Sequence, residues 1–362
     1  MKITSFETFQ FKIPLKQELK INNQKVNIRQ GLIVKITDDM GNCGYGEISP
    51  LPGLHKETLS QASNQLKTIK NLLLQNTVTG NIEQIIENLF SDSELSSSVR
   101  FGLETAIYRL FAVGHNVPIL SLFSQNPFHE ININGLLSGS EKKIIERAKF
   151  LINKGYTTLK VKVGRESIDS EIKLIKLLLG IIENRAVLRL DANRKWSLQE
   201  AVSFLKGIGS DNIEYIEEPL SDPSKLEDLY LQTNFPFALD ESIIDIDPTK
   251  YTPPNWCKAF VLKPTIIGSI QKTMQFIHVA EKHSISPIIC DTFQSGVGLS
   301  MLVAISASVK NNRLAMGLDT YNYLETDILE IPIKFNQNKL VVNQVLDYSN
   351  KIDLLSLIPI LL

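Results

Sequence analysis

The sequence predicts an α/β fold: a parallel (β/α)8-type barrel over residues 126–320, joined to an α+β capping domain formed by residues 1–125. Two observations carry this expectation. From residue 131 onward, short β-branched or apolar runs recur: "ININGLL", "TTLKVKV", "AVLRLDA", "IEYIEEP", "FALDE", "AFVLKP", "SPIICDT" and "RLAMGLD". Centred on Asn134, Lys160, Arg189, Tyr215, Leu239, Val261, Ile289 and Met316, they step by 26, 29, 26, 24, 22, 28 and 27 residues. Helical segments such as "SEKKIIERAKFLINKG" and "SIQKTMQFIHVAEKHS" lie between most of them, the rhythm of βα units closing a barrel. The second observation is that residues before about 125 lack this rhythm. A doubly wound open sheet is the competing architecture. A glycine-rich phosphate loop after the first strand would favour it, and "NGLLSGSEKK" is a weak imitation of one.

In the cap, "ITSFETFQFKI" and "GLIVKIT" read as antiparallel strands, and glycine-rich "DDMGNCGYGEISPLPG" as turn and loop. Residues 59–111 have helical periodicity, clearest in "SSVRFGLETAIYRLFA", where Ser97 or Ser98 is the expected cap and Gly114 the expected end. The tail, 321–362, lies beyond the last barrel strand and is expected to return to the cap.

Composition narrows the function classes. The 362 residues suffice for two domains, and 43% hydrophobic with 21% charged residues is ordinary for a globular chain. A formal net charge of −1 argues against a nucleic-acid or membrane-surface partner. Cys43, Cys257 and Cys290 form no C-x-x-C pair, so neither a disulfide framework nor a thiolate metal site is indicated, which suits the cytoplasm. No signal-peptide core opens the chain, and no apolar run approaches membrane-span length. His55, His115, His129, His278 and His283 show no ligand spacing.

In a barrel of this type the active site lies at the C-terminal strand ends. Those ends carry Lys160 and Lys162 on the second strand, Asp191 on the third, Glu217 and Glu218 on the fourth, and Asp240 and Glu241 on the fifth. Lys263 ends the sixth, "CDTFQSG" the seventh, and Asp319 the eighth. Each motif alone has an ordinary reading: a solvated edge, a surface turn, a helix start. Together they differ. Asp191, Glu217 and Asp240 follow one another by single βα units, so on strands about 4.8 Å apart three carboxylates converge. A hard divalent cation relieves their repulsion, and an all-oxygen donor set favours Mg2+ over zinc. Lys160 and Lys162 alternate onto one face of their strand. Lys263, four strands away, faces them across the acids. Crowding by Lys160 and the cation lowers the Lys162 pKa towards neutrality, which suits a general base removing a proton α to a carboxylate.

At K-V-K 160–162, D-A-N 191–193, E-E-P 217–219, D-E-S 240–242 and K-P-T 263–265 the chain resembles the enolase superfamily, in its muconate-lactonising subgroup. "GYGEISPLPGLHKETL", "LRLDANRKWS", "LKPTIIGS" and "GLDT" are most similar to the members that form 2-succinylbenzoate. The resemblance implies a modified (β/α)7β barrel, with Mg2+, or Mn2+ as its substitute, on Asp191, Glu217 and Asp240. It implies syn dehydration of a cyclohexadiene carboxylate, a small-molecule step of menaquinone synthesis. Lys162 is the implied base and then the proton donor to the departing hydroxyl. Lys160 is its neighbour, tuning it and contacting the carboxylate. Lys263 is the implied stabiliser of the ene-diolate, by charge and a cation–π contact. Asn193, Glu218 and Glu241 are expected to orient the ligands. Gly53 and Leu54 are expected on a cap loop over the substrate, with a second, mobile loop around Lys16–Asn27. Thr292, Gln294 and Ser295 are the expected seventh-strand contacts, although Gln294 stands where relatives tend to carry glutamate.

Three rival functions remain at this point. An N-acylamino acid racemase or dipeptide epimerase would use Lys162 and Lys263 as two bases. A Schiff-base aldolase would leave the three acids without a purpose. A non-catalytic binding barrel would have no need of both K-x-K lysines.

Overall fold

The computed structural model describes residues 2–22, 24–75, 79–91, 93–311 and 313–361. The cap opens with a long antiparallel hairpin, β1 (Ile3–Ile21) and β2 (Gln24–Asp38), followed by β3 (Cys43–Ile48). The pairing Leu19↔Val26 and Ile21↔Gln24 continues almost to the turn. Most of the stretch 16–27 expected to form a loop is therefore a β-ribbon, its alternating side chains satisfying a ladder; Asn23 lies outside the described residues.

The glycine-rich segment expected to be turn and loop contains strand β3. Its glycines are there for packing. Helices α1 (Leu59–Gln75), α2 (Ile82–Phe90) and α3 (Ser97–Gly114) cover the sheet. A Cβ on Gly44 would sit 2.0 Å from Ala106 O, and one on Gly46 would sit 1.9 Å from Gly102 O. Strand and helix backbones thus touch directly, which only glycine permits. The N-cap of α3 is Ser96, one residue before the expected pair, and its side chain makes no capping bond. Ser98 is instead held by Glu57, whose Oε1 accepts from Ser98 N at 2.9 Å and Oγ at 2.5 Å.

The barrel follows. Its first strand is broken at Asn134 into β4 (Glu130–Ile133) and β5 (Gly135–Leu137). Then come α4 (Glu141–Asn153), β6 (Thr158–Lys162), α5 (Ile168–Ile182), β7 (Val187–Asp191), α6 (Leu198–Ile208), β8 (Ile213–Glu217), α7 (Leu226–Thr233) and β9 (Phe237–Leu239). Only 3-10 turns at Glu241–Ile243 and Pro248–Lys250 join β9 to β10 (Cys257–Leu262). The short α8 (Pro264–Ile267), α9 (Ile270–Lys282), β11 (Ser286–Ile289), α10 (Gly296–Ala307) and β12 (Ala315–Met316) complete it.

The parallel sheet runs β11-β10-β9-β8-β7-β6-β5. Closure is economical: β12 pairs with β4 through Ala315↔Asn132 and Met316↔Ile133, and Gly317 bridges Cys290. Arg189, 1% exposed on the inner face of β7, ties across this seam. Its guanidinium donates to Ala315 O (2.6 Å) and Asn134 Oδ1 (3.4 Å) and pairs with Glu214 (2.7 Å).

The tail serves both bodies. Its β13 (Lys339–Val341) pairs antiparallel with β4, and α11 (Val342–Ser349) packs on α10. The last strand, β14 (Ile358–Ile360), joins the cap sheet beside β1.

Cap and barrel are locked by a carboxylate. Glu104 of α3, wholly buried, accepts from Ile270 N at 2.6 Å and pairs with Arg100 at 2.5 Å. It therefore sits at the N-terminus of α9, where exposed peptide N–H groups and the helix dipole favour negative charge.

Candidate active site

Strand register decides which side chains meet. Lys162 is opposite Asp191, Asp191 is opposite Glu217, and Glu217 is opposite Ala238, so Asp240 lies one inward-facing position further along β9. Leu159, Val161 and Val163 are buried on the outer face of β6, under the helices. Lys160 and Lys162 project inward, which is why an otherwise apolar strand carries two ammonium groups.

The lysines and acids form one network. Lys160 Nζ lies 2.6 Å from Glu217 Oε2 and 3.2 Å from Asp191 Oδ2. Lys263 Nζ pairs with Asp240 Oδ2. Lys162 Nζ instead donates to the neutral Asn193 Oδ1 at 2.9 Å. Ionic burial on this scale costs several kcal/mol per isolated charge, so the groups persist only as a mutually compensating set.

Their titration differs accordingly. Burial lowers the affinity of Lys160 for its proton, but Asp191 and Glu217 outweigh it and hold the group firmly protonated. Burial likewise works against Lys263, and Asp240 and Glu217 overcome it, raising its pKa. For Lys162, burial together with Lys160 and Lys263 outweighs the pull of Asp191, and its pKa falls. Burial and the charge of Asp191 push Glu217 well above the carboxylate range. Burial raises Asp191 too, yet the three lysines reverse this and leave it below its ordinary value.

Asn193, Glu218 and Glu241 lie around this network. Glu218, 1% exposed, accepts from Asp240 N at 2.9 Å and from Ser242 N at 2.7 Å, and so fixes the turn that presents Asp240. Arg194, which sequence reasoning missed, donates to Glu218 Oε2 (2.8 Å) and Ser242 Oγ (2.8 Å). Its signal was its place directly after D-A-N, at the mouth of the same strand. Asn193, Arg194 and Glu218 all adopt positive φ (44°, 59° and 42°), strain that clusters at the ends of the third and fourth strands. Burial, then Asp240, raises Glu241 to about 7.

No three His, Cys, Asp or Glu side chains among the described residues stand close enough to enclose an ion as they are placed. Asp191, Glu217 and Asp240 are turned onto lysine ammonium groups instead. Glu217 Oε1, however, is buried with no hydrogen-bond partner among the described residues, and so is Glu241 Oε2. An orphaned carboxylate oxygen beside two further carboxylates is the donor chemistry of a hard cation such as Mg2+. The residues fit the group.

The remaining candidates lie on two other segments. Gly53 (φ 82°) meets the hairpin: its carbonyl accepts from Asn22 Nδ2 at 2.8 Å, and a Cβ there would sit 2.5 Å from Ile21 O. Leu54, half-buried, follows it. On the seventh strand, Thr292 shares a hydrogen bond with Thr265 (2.9 Å), and Ser295 caps α10 and donates to Glu47 Oε2 (2.5 Å). Gln294 is wholly buried, and neither side-chain amide atom finds a partner among the described residues. The three form one buried turn, at 2%, 0% and 1% exposure, rather than a polar rim around the mouth.

Comparison with known proteins agrees with this architecture. Residues 143–345 match the family model "Enolase C-terminal domain-like", and residues 3–110 match "MenC, N-terminal domain". The o-succinylbenzoate synthase of Pasteurella multocida is 28% identical over 336 residues, covering 90% of this chain and 92% of that one. The Arabidopsis thaliana protein PHYLLO, chloroplastic, is 29% identical over 83% of this chain, which spans 20% of the plant protein's length. Among solved structures, the muconate lactonizing enzyme of Pseudomonas fluorescens superposes with a TM-score of 0.85 at 19% identity, over 94% of each chain. The dipeptide epimerase of Enterococcus faecalis V583, complexed with Mg and L-Leu-L-Tyr, gives 0.81 at 23%, over 94% of this chain and 97% of that one. With more than half its length matched by the model "Enolase C-terminal domain-like", the chain belongs to the enolase superfamily.

Proposed function

We propose that the chain is a hydro-lyase of the o-succinylbenzoate synthase type. It removes water from 2-succinyl-6-hydroxy-2,4-cyclohexadiene-1-carboxylate to give 2-succinylbenzoate. The observation that carries this reading is the state of Lys162: a half-buried amine of lowered pKa, hydrogen-bonded to a neutral amide and set beside a carboxylate cluster. A cap matching the MenC N-terminal domain supports this substrate over others of the superfamily.

Asp191, Glu217 and Asp240 would hold a divalent cation, which when bound supplies positive charge against the substrate carboxylate. Lys162 takes the proton from the carbon α to that carboxylate, and the C–H electron pair delocalises into the carboxylate as an ene-diolate. The ammonium of Lys263, on the opposite face, balances the added charge. The C–O bond to the ring hydroxyl then breaks. Lys162 returns its proton to the leaving oxygen, so water departs from the face on which the proton was taken, and the ring becomes aromatic. Asn193 holds Lys162 in line for both transfers, and Lys160 stays protonated against the acids.

The test is direct. The purified chain with Mg2+ is expected to bleach the ultraviolet absorbance of the cyclohexadiene carboxylate, and Lys162→Ala to abolish this. No dehydration, together with α-deuterium exchange into N-acylamino acids or dipeptides, would replace this reading with a racemase or epimerase.

A further inference from the structure

Two fully buried charges, Arg29 on β2 and Glu47 on β3, take no part in the chemistry described above, and each is 1% exposed. Arg29 grips two separate segments with one guanidinium. Its Nη2 donates to Ser49 O at 2.6 Å and its Nη1 to Pro50 O at 3.5 Å, where the cap loop bearing Gly53 and Leu54 begins. Its Nε donates to Phe293 O at 2.9 Å, in the turn between β11 and α10.

Glu47 does the same with a carboxylate. It accepts from Ser49 Oγ at 2.7 Å on the cap side. On the barrel side it accepts from Ser295 N (3.1 Å), Ser295 Oγ (2.5 Å) and Gly298 N (3.0 Å). These are the first donors of α10, where a negative charge is favoured. The turn is also held outside the cap: Asp291 accepts from Gln294 N at 3.1 Å and Thr320 Oγ1 at 2.6 Å, Thr265 shares a hydrogen bond with Thr292 at 2.9 Å, and Asp327 accepts from Gly296 N at 3.0 Å.

The shape of the turn depends on these bonds. Phe293 is held at φ 60°, a left-handed backbone that a bulky residue keeps only under constraint. Its ring meets Tyr323 edge-on at 5.8 Å, and Tyr323 Oη is hydrogen-bonded to Ser138 Oγ at 2.9 Å. The wall made by the seventh, eighth and first strand ends is therefore braced from the cap as well as from the barrel. In the ring of strands this arc lies opposite the acids. A substrate whose carboxylate points to Asp191, Glu217 and Asp240 turns its remote end towards it.

We propose that Arg29 and Glu47 are positioning residues that join cap loop 49–54 and turn 291–298 into one rigid wall, and that this wall selects the part of the substrate remote from the reacting carbon. The coupling stands on geometry alone; the selection rests on the reading under Proposed function.

The experiment compares the full-length, Mg2+-supplied wild type with Arg29→Met by hydrogen exchange and kinetics. Amides in 49–54 and 293–298 are expected to exchange about tenfold faster together, while those of β6, β7 and β8 keep their protection. KM for the cyclohexadiene carboxylate is expected to rise about tenfold with kcat changed less than about threefold, and Arg29→Lys to recover part of the loss. Loosening of one segment without the other, uniform loosening of the whole chain, or a fall in kcat at constant KM would overturn the proposal. Should Arg29→Met not fold, Ser295→Ala removes Glu47's barrel-side hydroxyl partner and must still loosen both segments. A wild type that dehydrates nothing would overturn the functional reading and the selection, whereas the exchange measurement would still decide the coupling.

Discussion

The barrel mouth has two arcs, built in opposite ways. From the second to the sixth strand, Lys160, Lys162, Asp191, Glu217, Asp240 and Lys263 are spaced by strand register on a continuous parallel ladder. From the seventh through the eighth to the first strand, the ladder thins to a two-residue β12, an isolated Cys290–Gly317 bridge and a first strand broken at Asn134. There the shape is braced in addition by cap side chains and by Arg189 from beneath. On the proposed reading, chemistry is placed on the regular arc, where repeated ladder hydrogen bonds fix the register, and fit to a particular substrate is left to the other arc.

The largest expected effect is on the regular arc. Lys162→Ala should reduce the dehydration rate by about 10⁴-fold with little change in the denaturation midpoint, measured by steady-state kinetics and urea unfolding. A large stability loss would mean that the lysine is a structural part of the ladder. Next, Glu218→Gln should weaken Mg2+ binding by about 10–100-fold, measured by titration calorimetry, because Glu218 positions the Asp240 turn. Unchanged affinity would detach Asp240 from the metal set.

On the cap side the consequence should be stability rather than rate. Glu104→Gln leaves the α9 N-terminus without its anion and should cost about 1–3 kcal/mol in chemical denaturation. A matching collapse of kcat would erase the distinction between the arcs.

The smallest effect is a displaced pH limb. A base must act in its neutral form, so with Lys162 in the proposed role activity should rise as pH passes its lowered pKa. Lys160 is among the charges that lower it. Lys160→Met should therefore move that limb of the pH–rate profile to higher pH.

The same division explains how far the sequence was legible. The acid arc was readable because a repeat of 22–29 residues brings strand ends into register wherever the strands are long. Lys160 and Lys162 could be placed on one face by alternation alone. Glycines misled the cap reading: "CGYGEI" carries the composition of a turn, yet Gly44 and Gly46 are strand residues whose missing side chains admit α3. The α3 cap was offset by a residue because three consecutive serines offer equal local chemistry and Glu57 decides among them. Arg29 and Glu47 gave no local signal, and Arg194 only its place beside D-A-N. Their partners lie 20 to 264 residues away for Arg29 and 24 to 48 for Arg194, and such pairings arise only in the folded chain.

The direct backbone contact of β3 with α3 has a practical bearing on redesign. A side-chain interface can be retailored by exchanging one shape for another, but here there is nothing to exchange. Positions 44, 46 and 102 should tolerate no replacement in a mutagenesis library. Attempts to recruit this scaffold for new substrates therefore have one fixed seam to respect.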